Sequence, residues 1–383
     1  MPRPRKYFAP DRPHSNLLEV SVKAMRFTRA AIYRSLNRNS GLAHPTYTAP
    51  DGTKKEMLDV DKDAEDACRY FLTQHFGDDE IRVLGEETLW KYRDLDLSRQ
   101  RCLGYEENDF EIVDGPEHRI TAVLDMVDGS DLVERDLGNW CSAMVIFRPN
   151  PKPIILCSLI QNADDRIYGA DSVGTFTISP NGDPAESLRG PEVRRLAKSV
   201  LDRDLPVETK QIAICFYGQK QKNLTTLPPG FLSWVSQSDA RDRFRIYNLA
   251  GNPMMARLSN GENIHAVFEH LGQYPHDATP GAYIGLRAGA HLVDLNGKAI
   301  TEEHLAQSLL RPSGARFRYV LGSTEELALE IAGALREGKE AFYECVTCVG
   351  AGAVSRADGD APVCALCGAS MVKRDRRGRH AVS

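Results

Sequence analysis

The sequence predicts a fold that begins as α+β and passes into α/β layers, and three observations support this class. The chain has 383 residues, of which 42% are apolar, so it can bury a large core. Strand-forming segments follow one another closely between residues 120 and 178, which is typical of an antiparallel meander. From about residue 190, strand and helix patterns alternate, which is typical of α/β layers.

Two helices and a series of strands are predicted in the first half of the chain. Apolar residues recur at helical spacing over residues 15–37, after a Pro- and Arg-rich leader at 1–14. A second helix is predicted over about 62–75. The polar residues 88–118 are interpreted as a hairpin or an insert. The predicted strands, rich in Val and Ile, are 81–84, 120–124, 141–148, 153–160, 166–170 and 174–178.

The second half alternates strands with helices. Ser323-Thr324-Glu325-Glu326 fits a capping box at the start of the last helix. The predicted elements are strands at 211–216 and 264–268, and helices at 253–258, 278–288 and 323–337. These patterns divide the chain into a leader at 1–14, an α+β half at 15–190, an α/β half at 191–340 and a C-terminal module at 341–383.

Composition and charge exclude several classes of protein. The formal net charge of −5 does not suggest a protein that coats nucleic acid or an anionic membrane. No apolar run approaches the roughly 18–20 residues of a membrane span, and no apolar segment follows the basic N-terminus as in a signal peptide. Five of the nine cysteines are scattered, so a reducing cytoplasm is the expected location.

Three acidic clusters lie at the ends of predicted elements. Two of them follow strands, and the third precedes a helix. Single carboxylates at such places are most often helix caps or solvated loop residues, so the interpretation depends on the whole set. The clusters are Gly85-Glu86-Glu87, Asp125-Met126-Val127-Asp128-Gly129-Ser130 and His276-Asp277.

Phosphate-ester chemistry explains why such clusters would converge. Phosphate monoesters hydrolyse so slowly that an enzyme must lower the barrier by about 20 kcal/mol or more. Mg²⁺ prefers oxygen ligands, and two ions about 4 Å apart stabilise both the attacking and the leaving oxygen. In Asp125-x-x-Asp128 the chain can turn so that both carboxylates and the intervening carbonyl face one point. Gly129 permits a close approach, and the backbone N–H groups that follow suit a phosphate.

The three clusters, in this order, resemble the motifs of the inositol monophosphatase superfamily. That superfamily carries a Gly-Glu-Glu segment, an Asp-x-[Ile/Leu/Val]-Asp-Gly-[Ser/Thr] signature and a Trp-Asp-x-Ala-Ala-Gly segment, and the resemblance extends over about residues 15–340. It implies a layered α-β-α-β-α sandwich, two or three Mg²⁺ ions, and hydrolysis of a small phosphorylated substrate by a metal-activated water. It also implies a homodimer.

The resemblance further implies roles by position. Asp61, Glu86 and Ser130 would be catalytic, with Asp61 and Ser130 positioning the attacking water and Asp59 as an alternative to Asp61. The Mg²⁺ ligands would be Glu86, Asp125, the Val127 carbonyl, Asp128 and Asp277. The substrate contacts would be Gly129, Ser130, Glu269 and Asn248.

Two departures from the superfamily pattern change residues that are expected to lie beside the substrate. His276 replaces the Trp that precedes the last Asp, and it is interpreted as a packing or polar replacement rather than a ligand. Thr279-Pro280 replaces Ala-Ala, and Pro280 is expected in the first turn of its helix. Glu269 resembles the acidic residue with which the superfamily contacts polyol hydroxyls, and this resemblance favours an inositol or sugar phosphate as substrate. Fructose 1,6-bisphosphate, 3′-phosphoadenosine 5′-phosphate and histidinol phosphate remain open, as does lithium sensitivity.

The C-terminal cysteines predict a separate metal site. Cys345 and Cys348 form one CxxC unit, Cys364 and Cys367 form another, and fifteen residues separate the two units. This spacing is typical of a zinc ribbon with four thiolates, and the alternative is a redox pair of dithiols. The basic residues 373–380 that follow are typical of a solvated tail, and the functional alternative is contact with nucleic acid or protein. A second functional hypothesis is therefore a regulatory protein that acts through this ribbon.

Overall fold

We describe the protein from a computed structural model of the 383-residue chain. The predicted insert at 88–118, most of the leader and the four C-terminal cysteines of the zinc prediction lie outside the described residues. The described residues are 13–37, 46–48, 54–56, 59–77, 80–86, 120–134, 137–180, 212–216, 226–236, 244–249, 251–312, 314–336, 340–344, 352–356 and 372–374.

Sixteen strands and eight helices lie within these ranges. The helices are α1 (Pro13–Asn37), α2 (Asp59–Phe76), α3 (Ser130–Glu134), α4 (Pro229–Ser236), α5 (Asn252–Ser259), α6 (Pro275–Ala288), α7 (Glu302–Ser308) and α8 (Glu325–Arg336). The strands of the first half are β1 (Thr46–Thr48), β2 (Lys54–Glu56), β3 (Ile81–Gly85), β4 (Ile120–Asp128), β5 (Cys141–Arg148), β6 (Ile154–Asn162), β7 (Ile167–Asp171) and β8 (Thr175–Ile178). The remaining strands are β9 (Ile212–Phe216), β10 (Phe244–Tyr247), β11 (Ala266–Gln273), β12 (His291–Asp294), β13 (Phe317–Gly322), β14 (Glu340–Glu344), β15 (Gly352–Arg356) and β16 (Val372–Arg374).

Two large sheets form the frame of the fold. The first contains six strands in the order β3-β4-β5-β6-β7-β8, and its last five strands are the predicted antiparallel meander. Strand β3 lies parallel to β4 at the edge. The second sheet contains five strands in the order β10-β9-β11-β13-β12 and is mixed: β9 is parallel to β10 and β11, whereas β13 is antiparallel to both of its neighbours.

Helices cover both faces of each sheet and complete five layers. Helices α1 and α2 pack on the outer face of the first sheet, α5 and α6 lie between the sheets, and α4 and α8 cover the second sheet. Each interface buries apolar side chains; Leu72 lies in the outer core of the first sheet, Met255 between the sheets and Ile331 beyond the second sheet. This α-β-α-β-α sandwich confirms the predicted fold class.

Two details of the predicted helices are wrong. Thr324, not Ser323, caps α8, because the Thr324 hydroxyl accepts a hydrogen bond from the Leu327 N–H at 3.2 Å. Helix α6 begins at Pro275, three residues earlier than predicted, so Pro280 lies beyond the first turn. Its carbonyl oxygen accepts a hydrogen bond from the Ser158 hydroxyl of β6 at 3.0 Å. The middle helical layer is therefore fastened to the first sheet by a polar contact as well as by packing.

Two smaller sheets complete the described structure. Strands β1 and β2 form an antiparallel pair, and β14 pairs with β15 and β16 in a three-stranded antiparallel sheet. No helix in the described part of the chain combines the length and apolar character needed to cross a membrane.

Candidate metal centre

A cleft rich in carboxylates opens beside the ends of β3 and β4. Gly85 pairs with Leu124 in the parallel register, so the residues that follow, Glu86 and Asp125, emerge at the same edge of the sheet. The cleft is small and partly open to solvent. Its lining consists of Asp61, Glu65, Glu86, Asp125, Met126, Val127 and Ser130. Five of the predicted site residues therefore share one small space.

Strand β4 contains a bulge between the two signature aspartates, Asp125 and Asp128. Two residues lie between Asp125 and Asp128, whereas only one lies between their partners Ala143 and Cys141 on β5. Side chains three positions apart in a regular strand point to opposite faces, and an extra residue in one strand changes that alternation. Asp125 lines the cleft, and Asp128 accepts a hydrogen bond from Asn252 at the start of α5.

Asn252 connects the signature to the helix that carries the last acidic cluster. Its side chain is fully buried, and its Nδ2 donates to Asp128 Oδ2 at 3.0 Å and to the Asp277 backbone oxygen at 2.8 Å. Its Oδ1 accepts from the Gly281 N–H at 2.8 Å. These bonds hold the start of α6 next to the end of β4. The sequence places Asn252 with Asn248 in a segment beside the substrate, but it does not indicate these bonds, because their partners lie 124 and 25 residues away.

The carboxylates of Asp128 and Asp277 repel each other. Burial raises the pKa of Asp128 to about 6, and the negative charge of Asp277 adds to this effect. The hydrogen bonds from Asn252 oppose the shift. A divalent cation between these groups would offset both burial and repulsion, so the oxygen-rich donor set fits Mg²⁺.

The last acidic cluster meets Glu86 at the same place. Ligand atoms of Glu86, His276 and Asp277 all lie within 4.8 Å of one another. Asp277 is in the first turn of α6, where its charge complements the helix dipole. Because Glu86 also lines the cleft with Asp61 and Asp125, the two groups of acidic side chains form one continuous centre.

Glu65 is a cleft residue that the sequence motifs do not indicate. Its carboxylate is buried and pairs with Arg69 at 2.8 Å. Gly85 makes this position possible, because a Cβ on residue 85 would overlap the carboxyl group of Glu65. Glu65 lies four residues after Asp61 on α2, so helical periodicity from Asp61 would have identified it.

The predicted substrate contacts lie in different environments. Gly129 adopts a left-handed backbone conformation, with φ of 95°, directly before Ser130 at the cleft. Asn248 is exposed after β10. Glu269 is buried in a bulge of β11, where its Oε1 accepts from the N–H groups of Leu271 at 2.6 Å and Gly272 at 2.9 Å. Burial raises the pKa of Glu269. The side chains of two further acidic residues of the sequence prediction, Asp59 and Glu87, lie outside the described residues.

Comparison with known proteins identifies relatives of the fold. No protein-family model matches the sequence. No curated protein sequence matches it either.

Solved structures with the same fold cover most of the chain. Extragenic suppressor protein SuhB from Bartonella henselae matches with a TM-score of 0.54 and 14% identity, over 84% of this chain and 99% of that chain. An IMPase of Thermotoga maritima matches with a TM-score of 0.53 and 13% identity, over 84% and 98%. SaIMPase-II, solved with inositol monophosphate bound, matches with a TM-score of 0.51 and 14% identity, over 84% and 94%. At these identities the likeness establishes the shared fold.

Proposed function

We propose that the protein is a Mg²⁺-dependent hydrolase of small phosphate monoesters. The observation that carries this proposal is the position of Glu86, which lines the cleft with Asp61 and Asp125 and also lies against the ligand atoms of His276 and Asp277. A dense group of carboxylates at strand ends is costly unless cations fill it. The fold shared with inositol monophosphatases supports the same reaction class.

The proposed ligands are those of the sequence motifs. Asp125 and Val127 line the cleft, Asp128 and Asp277 lie close to each other, and Glu86 lines the cleft and also lies beside Asp277. The backbone carbonyl is the proposed donor of Val127. Mg²⁺, when bound, supplies positive charge for the phosphoryl group and leaving oxygen, and it makes water a better nucleophile. Two or three ions are proposed for this donor set.

The remaining cleft residues would act on water and substrate. Asp61 and Ser130 line the same cleft, so a water between them can donate to the Asp61 carboxylate and accept from the Ser130 hydroxyl. We propose that this pair orients the attacking water. The N–H groups of Gly129 and Ser130 would hold phosphate oxygens, and the left-handed conformation of Gly129 supports a close approach.

An inositol or sugar phosphate is the proposed substrate. SaIMPase-II was solved with inositol monophosphate and also with 2′-AMP, so this fold accommodates polyol and nucleotide phosphates. A polyol contact by Glu269 requires its free carboxylate oxygen to face the ligand, because Oε1 is bonded to the β11 bulge.

Phosphate release from a substrate panel tests the proposed function. We expect turnover of at least one of inositol 1-phosphate, fructose 1,6-bisphosphate, 3′-phosphoadenosine 5′-phosphate and histidinol phosphate, with loss of activity on Mg²⁺ removal and recovery on its return. The hydrolysis of inositol 1-phosphate in preference to the nucleotide would support the polyol proposal. Absence of turnover on every compound at saturating Mg²⁺ would contradict the reaction class and favour the regulatory hypothesis.

We also propose that the C-terminal module binds one Zn²⁺ through Cys345, Cys348, Cys364 and Cys367. Besides the CxxC spacing, the register of the small sheet supports this: Glu344, which directly precedes Cys345 in the chain, pairs with both Gly352 and Val372. Two strand connections of the module therefore meet at this end of the sheet. Each connection contains one CxxC unit.

Zinc content checks the module directly. We expect about one equivalent of Zn²⁺ in protein purified without chelator, and loss of that metal in a Cys364→Ser/Cys367→Ser double variant. Elemental analysis measures both, with a Cys215→Ser variant in β9 as the control that retains its zinc. Metal-free protein whose four cysteines oxidise to disulfides reversibly would instead support the redox alternative.

A further inference from the structure

The ring of His276 lies beside the carboxylates of Glu86 and Asp277 and is restrained by neighbouring side chains. The side chain is almost completely buried and stacks on Tyr274, with ring centroids 5.6 Å apart and planes inclined by 6°. Arg316 covers the ring of Tyr274 at 4.4 Å and donates to its hydroxyl oxygen at 3.0 Å. This stack of three side chains fixes the direction of both ring nitrogens of His276.

A hydrogen bond assigns the proton on the ring. Nδ1 lies 2.6 Å from the backbone oxygen of Pro312. A carbonyl oxygen only accepts, so Nδ1 carries a hydrogen and donates it. In the neutral ring, Nε2 then presents a lone pair. This arrangement, with one nitrogen donating to a backbone carbonyl, is the usual one for a histidine that binds a metal through the other nitrogen.

The second nitrogen faces carboxylate oxygens of the proposed metal centre. Nε2 lies 2.9 Å from Asp277 Oδ1, and a ligand atom of Glu86 completes a group whose members are all within 4.8 Å. A lone pair of neutral imidazole and a carboxylate oxygen are both acceptors. A cation held between them converts this unfavourable contact into shared coordination.

From this geometry we propose that Nε2 of His276 is a ligand of one ion, together with Glu86 and Asp277. The proposal rests on the proposed function for the presence of metal at this centre. An imidazole nitrogen favours first-row transition ions, whereas Mg²⁺ favours sites built of oxygen alone. The position shared by Glu86, His276 and Asp277 therefore selects a divalent transition ion, and the positions held by oxygen ligands alone take Mg²⁺.

Pulsed electron paramagnetic resonance of Mn²⁺ tests this ligand in the untagged full-length protein. Mn²⁺ is the suitable probe because thiolates select softer ions, so the C-terminal cysteines do not compete for it. We expect the bound ion to show the ¹⁴N hyperfine coupling of a directly bound imidazole. The coupling should disappear in His276→Gln and His276→Phe, and it should persist in the control His291→Gln on β12.

Metal titration gives a second measurement that does not depend on turnover. In both His276 variants we expect Mn²⁺ affinity to fall by roughly tenfold or more, and Mg²⁺ affinity to change by a smaller factor. The coupling is recorded in the unaltered protein, so a variant that fails to fold does not affect the principal result.

Three outcomes distinguish the inference from the function on which it rests. Nitrogen coupling in the unaltered protein and its loss in the variants support the ligand. Mn²⁺ binding without nitrogen coupling, alongside normal Mg²⁺-dependent turnover, overturns the inference: His276 then only positions Asp277 by donating from Nε2, and the proposed function stands. Failure of the protein to bind either ion overturns both.

Discussion

Replacing Asp128 with Asn is expected to reduce phosphate release by about 10³-fold or more. The substitution removes the carboxylate that Asn252 holds beside Asp277, and with it a ligand of the proposed ions. A catalytic metal contributes several kcal/mol of transition-state stabilisation, and each 1.4 kcal/mol corresponds to a factor of ten in rate. Steady-state phosphate release at saturating Mg²⁺ measures the effect.

Asp171→Asn is the matched control for Asp128→Asn. Asp171 is also a buried carboxylate in the first sheet, but it accepts the N–H groups of Val173 and Gly174 in a turn after β7. We expect its substitution to change stability and to leave turnover per folded molecule unchanged. Equal activity of Asp128→Asn and the unaltered protein would remove Asp128 from the proposed centre.

Asp128→Asn, which is expected to reduce turnover, should increase the stability of the metal-free protein at neutral and higher pH. The pKa of Asp128 is raised to about 6 in the folded state, from the ordinary value of about 4. The folded state therefore binds this proton more tightly than the unfolded state, and its stability falls as pH rises from about 4 through 6. Asn carries no charge, so the stability of the metal-free variant does not fall with pH through this group.

Thermal unfolding after metal removal measures that difference. We expect metal-free Asp128→Asn to melt at a higher temperature than the unaltered protein at pH 8, and we expect the gap to narrow at pH 5. With metal bound, the ranking should reverse, because binding stabilises the folded state by mass action. A lower melting temperature for the metal-free variant at pH 8 would show that the carboxylates are not in repulsive contact.

Replacing Asn252 with Leu is expected to lower the free energy of unfolding by about 2–4 kcal/mol and to slow turnover by roughly 10–100-fold. Leu keeps the volume but leaves the Asp277 carbonyl and the Gly281 N–H without their partner in a buried region. It also releases Asp128 from the start of α5. Urea unfolding and the Mg²⁺ dependence of the rate measure the two effects.

Asn260→Leu provides the comparison for Asn252→Leu. Asn260 follows the other end of α5, where its side chain accepts from Thr177 at 2.8 Å and donates to Glu262 at 3.1 Å. We expect a smaller loss of stability, about 1 kcal/mol, and no change in turnover. An Asn252 variant that matched this control in both measurements would contradict the positioning role.

Sequence patterns predicted the first sheet more completely than the second. Strands β5 and β6 are long and almost wholly buried, so their apolar runs are unambiguous. By contrast, β10 and β12 contain only four residues each, and three residues of β10 are exposed. Such short strands derive their stability from neighbours that are distant in sequence, so local pattern does not indicate them.

The candidate site also contains residues that the sequence indicates and residues that it does not. Its acidic residues follow strand ends in recognisable order, so the motifs indicate them directly. Asn252 and the hydrogen bond from His276 to Pro312 depend on contacts between separate segments, and no local pattern encodes them. Glu65 is intermediate between these two groups. Helical periodicity predicts that it lies on the same face of α2 as Asp61, but the room for its carboxyl group depends on the absence of a side chain at Gly85, which is distant in sequence.

The wide spread of the cleft residues along the chain bears on how the protein matures. Donor groups from α2, the first sheet and α6 meet only when the middle helices have docked, so a chain still emerging from the ribosome without α6 has no complete binding place. Contacts between such distant segments form late and slowly. Binding of the proposed ion would therefore stabilise the folded chain only after α2, the first sheet and α6 have come together.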